Sequence, residues 1–162
     1  KGPCYIRLGK GGESPLHDSV ENFQIGKAIR ICEGEEVCIF ATGAITVEAK
    51  IATERLNEQG ISTSLYSFPT IKPIDIDLIE ECSKKYKLMV TVEENNITGG
   101  FGSAVAEVKS QLIGTNASQI MIGINDMYSS IVGDQKYLRE YYGVDSVSIE
   151  ASILKKYSLL SK

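Results

Sequence analysis

The chain has 162 residues and a formal net charge of −4, with 17 basic and 21 acidic side chains interspersed along it. A chain of this length suits a single domain, which can bury about 70% of the surface that the unfolded chain exposes. The small negative charge argues against a nucleic-acid or anionic-membrane partner, and no apolar run approaches the roughly 20 residues of a membrane span.

The first 23 residues predict a strand followed by a polar linker. Residues 3–8 alternate in polarity as a strand does, and a glycine-rich turn ends them. Because the first residue is Lys1 rather than Met and a strand follows at once, we expect the chain to be part of a longer protein.

Beyond residue 23, a strand is predicted first, and from residue 36 onward strands alternate with helices. Gly60 is expected to cap the first helix, and Asp75 or Asp77 to begin the second. This alternation predicts an open, mostly parallel sheet with helices on both faces. The predicted strands cover residues 25–32, 36–41, 62–68, 88–92 and 119–124, and the predicted helices 45–60, 75–86, 102–114, 135–142 and 144–157.

The four cysteines, at positions 4, 32, 38 and 82, form no Cys-x-x-Cys pair, and His17 is the single histidine. A local zinc site is therefore not expected. We predict reduced cysteines packed as small apolar side chains, as in a cytoplasmic protein, and no signal peptide is visible.

The most informative segment spans residues 90–107, where an apolar strand ends at Glu93 and Glu94 and glycines precede a small-residue helix. The glycines at 99, 100 and 102 do not complete a dinucleotide-binding fingerprint, because Val105 stands at its last glycine position. They predict a sharp strand-to-helix turn instead. Since adjacent strand residues face opposite sides, we expect one glutamate to be solvated and the other to accept hydrogen bonds from loop amides.

Arg7 and Lys10 flank the end of the first predicted strand, beside Gly9, Gly11 and Gly12. Backbone amides of a glycine-rich turn together with cationic side chains suit a phosphate group. The alternative is two exposed charges at a strand end.

Several sequence blocks, in this order and spacing, resemble the C-terminal part of the transketolase family of thiamine-diphosphate enzymes. The resemblance covers nearly the whole chain and includes bacterial transketolases, some of them split into two subunits, and 1-deoxy-xylulose-5-phosphate synthase. Asn95 stands where many transketolases have His and the synthase has Asn, so both branches stay open. The blocks are GPCYIRLGKG at 2–11, QIGKA at 24–28, FATG at 40–43, TIKPID at 70–75, TVEEN at 91–95, GGFGSAVAE at 99–107, GIND at 123–126 and YLREYYG at 137–143.

The resemblance implies a three-layer α/β/α domain whose open sheet has about five strands, one of them antiparallel. It assigns residues 1–12 to the last strand of a preceding pyrimidine-binding domain, 13–23 to a linker and 24–162 to the C-terminal domain. The family places a basic residue for the substrate phosphate, usually Arg, at the position of Lys10, with Arg7 nearby. Lys keeps the charge but lacks the bidentate fork of Arg.

The function implied is that of the C-terminal domain of a transketolase, which moves a two-carbon ketol unit between sugar phosphates in pentose phosphate metabolism. Thiamine diphosphate and Mg²⁺ are expected in the full-length enzyme, whereas we expect this chain alone to bind neither, to contain no catalytic residue and to be inactive. Its expected partners are the missing cofactor-binding domains or subunit and a second copy, contacted through a helix over residues 103–113. The alternatives are the corresponding domain of the synthase and a free-standing α/β module that binds flavin or another small ligand.

Overall fold

A computed structural model describes residues 2–9, 16, 23–114 and 116–160. In this part of the chain, strands and helices alternate as the sequence predicts, and a 3-10 turn over Gly43–Ile45 precedes the first helix. The elements are β1 (Ile29–Cys32), β2 (Val37–Thr42), α1 (Thr46–Glu58), β3 (Thr63–Ser67), α2 (Ile76–Lys85), β4 (Leu88–Asn96), α3 (Phe101–Ser110), β5 (Ser118–Ile124), α4 (Gln135–Tyr142) and α5 (Ser146–Leu160).

The five strands form one sheet in the order β1-β3-β2-β4-β5. β1 runs antiparallel to β3, and the other neighbouring pairs are parallel. This confirms the predicted mostly parallel sheet with one antiparallel strand. The chain goes from β2 outward to β3 and then crosses back to β4 on the other side of β2, so the strand order reverses between β2 and β4.

The core has two layers, one on each face of the sheet. Along β2, Ile39 and Ala41 pack with α1 and α5, whereas Cys38 and Phe40 pack with α2 and α3. β2 is buried on both faces, which explains why it reads as a continuous apolar run. The arrangement confirms the three-layer α/β/α architecture.

Two helix caps form as the sequence predicts. Asp75 is the N-cap of α2, where its carboxylate accepts a hydrogen bond from the amide of Leu78 at 3.4 Å. The same carboxylate accepts bonds from the amide of Ala28 and from Lys27 Nζ, both at 3.0 Å. It therefore also ties the segment before β1 to α2. Gly60, with a φ of +82°, reverses the chain after α1.

The strand predicted over residues 3–8 is not formed in this structure. Residues 2–9 are exposed and have no regular secondary structure. An isolated segment cannot satisfy its backbone groups as a strand, and no strand of the described residues pairs with it. Lys10, His17 and most of the predicted linker lie outside the described residues.

Smaller corrections concern element ends and cysteines. β4 continues past residue 92 because Asn96 still pairs with Ile124 of β5, while α3 ends at Ser110 rather than at 114. Cys38 and Cys82 are buried thiols as predicted, but Cys32 is half-buried and Cys4 is exposed. None of the helices in the described ranges combines the length and apolar character that crossing a membrane requires.

Candidate functional site

The candidate site is the carboxyl edge of the sheet between β2 and β4. In open α/β sheets, ligands bind outside the carboxyl ends of the strands, at the point where the strand order reverses. Here that edge is formed by the end of β2 at Thr42, by the end of β4 from Glu93 onward and by the first turn of α3.

Glu93 fills the N-terminus of α3. Its side chain is buried, with 2% of the residue exposed. Its two carboxylate oxygens accept hydrogen bonds from the amides of Phe101 and Gly102, each at 2.8 Å. These amides are among the first of the helix, which have no partner within it, and the helix dipole favours a negative charge there. The prediction that one glutamate binds loop amides is confirmed.

The glycines of the turn make this close approach possible. Gly99 has a φ of +73°, a conformation that favours glycine. A Cβ at Gly100 would overlap the Glu93 carboxylate, and one at Gly102 would lie 2.5 Å from Thr91 Oγ1. The predicted strand-to-helix turn is therefore confirmed. A helix N-terminus of this kind commonly binds phosphate, but its amides here already bind a carboxylate of the chain.

Glu94 lies on the opposite side of β4 and is not solvated as expected. It accepts a hydrogen bond from Arg139 Nε at 2.6 Å, and Arg139 Nη1 lies 3.4 Å from Glu48. The second oxygen of Glu48 accepts a bond from the amide of Ser146, at 2.9 Å. The expectation fails because Arg139 of α4, whose side chain is 12% exposed, lies between the carboxylates of Glu94 and Glu48.

This ion-pair network joins β4, α1, α4 and α5. The sequence reasoning missed both Arg139 and Glu48. The sequence gives only weak signals for these two residues. Arg139 lies within the family-like block YLREYYG at 137–143, and Glu48 lies in the first turn of α1, which follows a central strand. Together with Glu93, the network places charged side chains that bind other parts of the chain at the edge between β2 and β4.

Of the two predicted phosphate-binding residues, the structure describes Arg7 alone. Arg7 is exposed within residues 2–9, and no hydrogen bond or ion pair joins it to another residue in the described part of the chain. Lys10 lies outside that part.

The turn at the start of α3 does not fit the diphosphate group of thiamine diphosphate. Mg²⁺ is usually bound by carboxylates together with phosphate oxygens and water. Within the described ranges, no group of three or more His, Cys, Asp or Glu side chains is placed to hold a metal ion. The amides that would suit a diphosphate at α3 bind Glu93 instead.

Comparison with known proteins identifies the domain. Residues 26–149 match the family model of the transketolase C-terminal domain. The chain belongs to this family. The match covers most of the chain and includes β1 to α4 and the first residues of α5.

Individual transketolase relatives agree with the family match. A Methanocaldococcus jannaschii protein that carries the name of a transketolase C-terminal section is 39% identical over 96% of this chain and 48% of its own length. A 1-deoxy-D-xylulose-5-phosphate synthase of Syntrophotalea carbinolica is 36% identical over 94% of this chain and 24% of its own length. The solved structure of a split-gene transketolase, an inactive tetramer of beta subunits, superposes with a TM-score of 0.86 at 32% identity. The match covers 96% of this chain and 50% of that chain. The chain thus spans half or less of the length of each of these proteins.

Proposed function

We propose that this chain is the C-terminal part of a transketolase that transfers a two-carbon ketol unit between sugar phosphates. The family match over residues 26–149 carries the proposal. The similarity to a split-gene transketolase over 96% of the chain adds support. Thiamine diphosphate, which stabilises the carbanion in such enzymes, and Mg²⁺ belong in this proposal to domains outside the chain.

The role we propose for the domain itself is structural. Its support is the edge between β2 and β4, where Glu93 accepts bonds from the first amides of α3 and Glu94 pairs with Arg139. A domain built in this way positions its neighbours and contributes to assembly, and it is inactive alone. Residues 1–12 in this proposal complete the preceding pyrimidine-binding domain, 13–23 link the two, and 24–162 form the C-terminal domain.

The experiment compares the chain alone with the chain combined with the complementary cofactor-binding part of its parent enzyme. We expect no heat of binding when thiamine diphosphate and Mg²⁺ are titrated into the chain alone, and no turnover of a ketose donor. The combined protein should bind the cofactor and transfer the ketol unit. Stoichiometric micromolar binding by the chain alone, or unaided turnover, would contradict the proposal.

A role in substrate binding is proposed for Lys10, with Arg7 beside it. The support is the glycine-rich, cationic sequence around them and the family resemblance of this segment. In the full-length enzyme, Lys10→Gln should raise KM for a phosphorylated substrate about 10- to 100-fold, because one charge-assisted hydrogen bond is lost. KM for an unphosphorylated ketose should stay unchanged. Lys50→Gln, at an exposed position on α1, is the matched control; an equal effect of both variants would refute the role.

The second candidate function is the C-terminal domain of a 1-deoxy-xylulose-5-phosphate synthase. The 36% identity to such a synthase favours it, and identification of the product formed by the full-length enzyme separates the two. No comparison favours the free-standing ligand-binding module. In our proposal, the partners of this domain are the cofactor-binding domains, on the same chain or a separate subunit, and a second copy of the enzyme. We propose a cytoplasmic location, since all four cysteines are free thiols.

A further inference from the structure

One buried polar atom in the described part of the chain has no hydrogen-bond partner. It is the side-chain hydroxyl oxygen, Oγ1, of Thr91 in the middle of β4. Thr91 is completely buried. A buried hydroxyl without a partner is destabilising, because it gives up its bonds to water and gains none in return. The folded domain thus keeps a hydrogen-bond donor that it does not use.

The side chain beside this hydroxyl is that of Met121. Thr91 and Met121 are paired in register on the neighbouring strands β4 and β5, so their side chains project from the same face of the sheet. A Cβ placed on Gly102 of α3 would lie 2.5 Å from Thr91 Oγ1 and 3.1 Å from Met121 Sδ. Both atoms therefore lie close to the same point under α3. The thioether sulfur is only a weak acceptor, which explains why the hydroxyl stays without a bond.

Met121 is accessible to solvent, although the hydroxyl beside it is not. Of the three methionines in the chain, Met89 is fully buried, Met121 is 37% exposed and Met127 is 56% exposed. Methionine is oxidised to the sulfoxide, and exposed side chains are the susceptible ones. With hydrogen peroxide, the sulfur attacks one peroxide oxygen, and an S–O bond forms as the O–O bond breaks. The sulfur loses two electrons, and the other oxygen leaves as water.

We propose that Met121 is an oxidation site whose sulfoxide oxygen accepts a hydrogen bond from the Thr91 hydroxyl. The methionine side chain has three rotatable bonds, so an oxygen added from the solvent side can turn toward Thr91. A sulfoxide normally disrupts apolar packing, whereas here the unused donor stabilises it. The oxidised domain therefore stays folded, and a methionine sulfoxide reductase can reverse the modification. The inference depends on β4, β5 and α3 alone and not on the proposed ketol transfer.

The test compares the chain with and without Thr91→Val, before and after treatment with hydrogen peroxide. Both proteins also carry Met127→Leu, so that Met121 is the exposed methionine that remains. A thiol reductant then restores reversibly oxidised cysteines, and peptide mass spectrometry locates the sulfoxide. Valine has nearly the shape of threonine but offers no donor. Oxidation should therefore lower the Tm of the Thr91→Val protein by about 3–10 °C more than that of its parent.

Two control variants separate the hydrogen bond from other effects of oxidation. Thr91→Ser keeps the hydroxyl and should respond to peroxide as the parent protein does. Met121→Leu removes the sulfur, so peroxide should then change the Tm equally with and without Thr91→Val. The proposal would be overturned if oxidation of Met121 lowered the Tm equally in the parent and in Thr91→Val. It would also be overturned if Met121 of the unaltered chain stayed unoxidised under conditions that convert Met127.

Discussion

Replacing Glu93 by glutamine is expected to destabilise the domain strongly, although the two side chains have nearly the same shape. The carboxylate accepts two hydrogen bonds from the first turn of α3, both at 2.8 Å. In the variant, one oxygen becomes an NH₂ group that faces an amide N–H, so at least one bond is lost. A hydrogen bond to a charged group contributes about 1.5–3 kcal/mol, and a charge at a helix terminus adds up to ~2 kcal/mol in a partly buried site.

The expected loss in the free energy of unfolding is therefore about 2–4 kcal/mol. For a domain of this size, 1 kcal/mol corresponds to a shift in Tm of about 2–4 °C, so the midpoint should fall by roughly 5–15 °C. Urea denaturation and thermal melting of Glu93→Gln measure both quantities.

The matched control is Glu107→Gln, at an exposed position on the same helix. It should stay within about 0.5 kcal/mol of the wild type, as surface substitutions usually do. If Glu93→Gln were as stable as this control, the bonds between Glu93 and α3 would contribute nothing to the free energy of unfolding, and the stabilising role given to Glu93 would be refuted.

Two further predictions concern ion pairs. Arg139→Met should cost about 2–4 kcal/mol because it leaves two partly buried carboxylates unpaired, and adding Glu94→Gln should recover part of this loss in a double-mutant cycle; additive effects of the two changes would contradict the network. The Tyr157 hydroxyl and Lys87 lower the pKa of Glu36 in the folded state, so its stabilising contribution is present above the unfolded pKa of about 4.3 and is lost as pH falls through the lower, folded value. The stability difference between the wild type and Glu36→Gln, measured by urea denaturation, should therefore be present at pH 7 and vanish at low pH; a difference that persists unchanged would refute this.

The sheet could be predicted from the sequence because its signals are local. β2 is a short apolar run that ends at a glycine, and the glycines after β4 require a particular backbone geometry wherever the strand lies. The same local logic predicted that one of Glu93 and Glu94 would bind loop amides, and the structure assigns this to Glu93, eight residues before Phe101.

The rest of the site depends on contacts between distant parts of the chain. Arg139 contacts Glu48 across 91 residues, and Ser146 contacts the same carboxylate across 98 residues. No periodicity or spacing reports such pairs, so one of the two glutamates was predicted to be solvated. Residues 3–8 show another limit of sequence-based prediction. Their alternating pattern predicts a strand but does not specify a neighbouring strand to pair with it.

The two hydrogen bonds between Glu93 and α3 also imply that this turn can bind a small carboxylate ion when Glu93 is absent. A Glu93→Ala variant would retain the amides of Phe101 and Gly102 on either side of a gap the size of a carboxylate group. Formate or acetate in the buffer is the natural replacement for the missing group. Such ions should raise the melting temperature of that variant roughly with the logarithm of their concentration once it exceeds their Kd, and leave the unaltered protein unaffected.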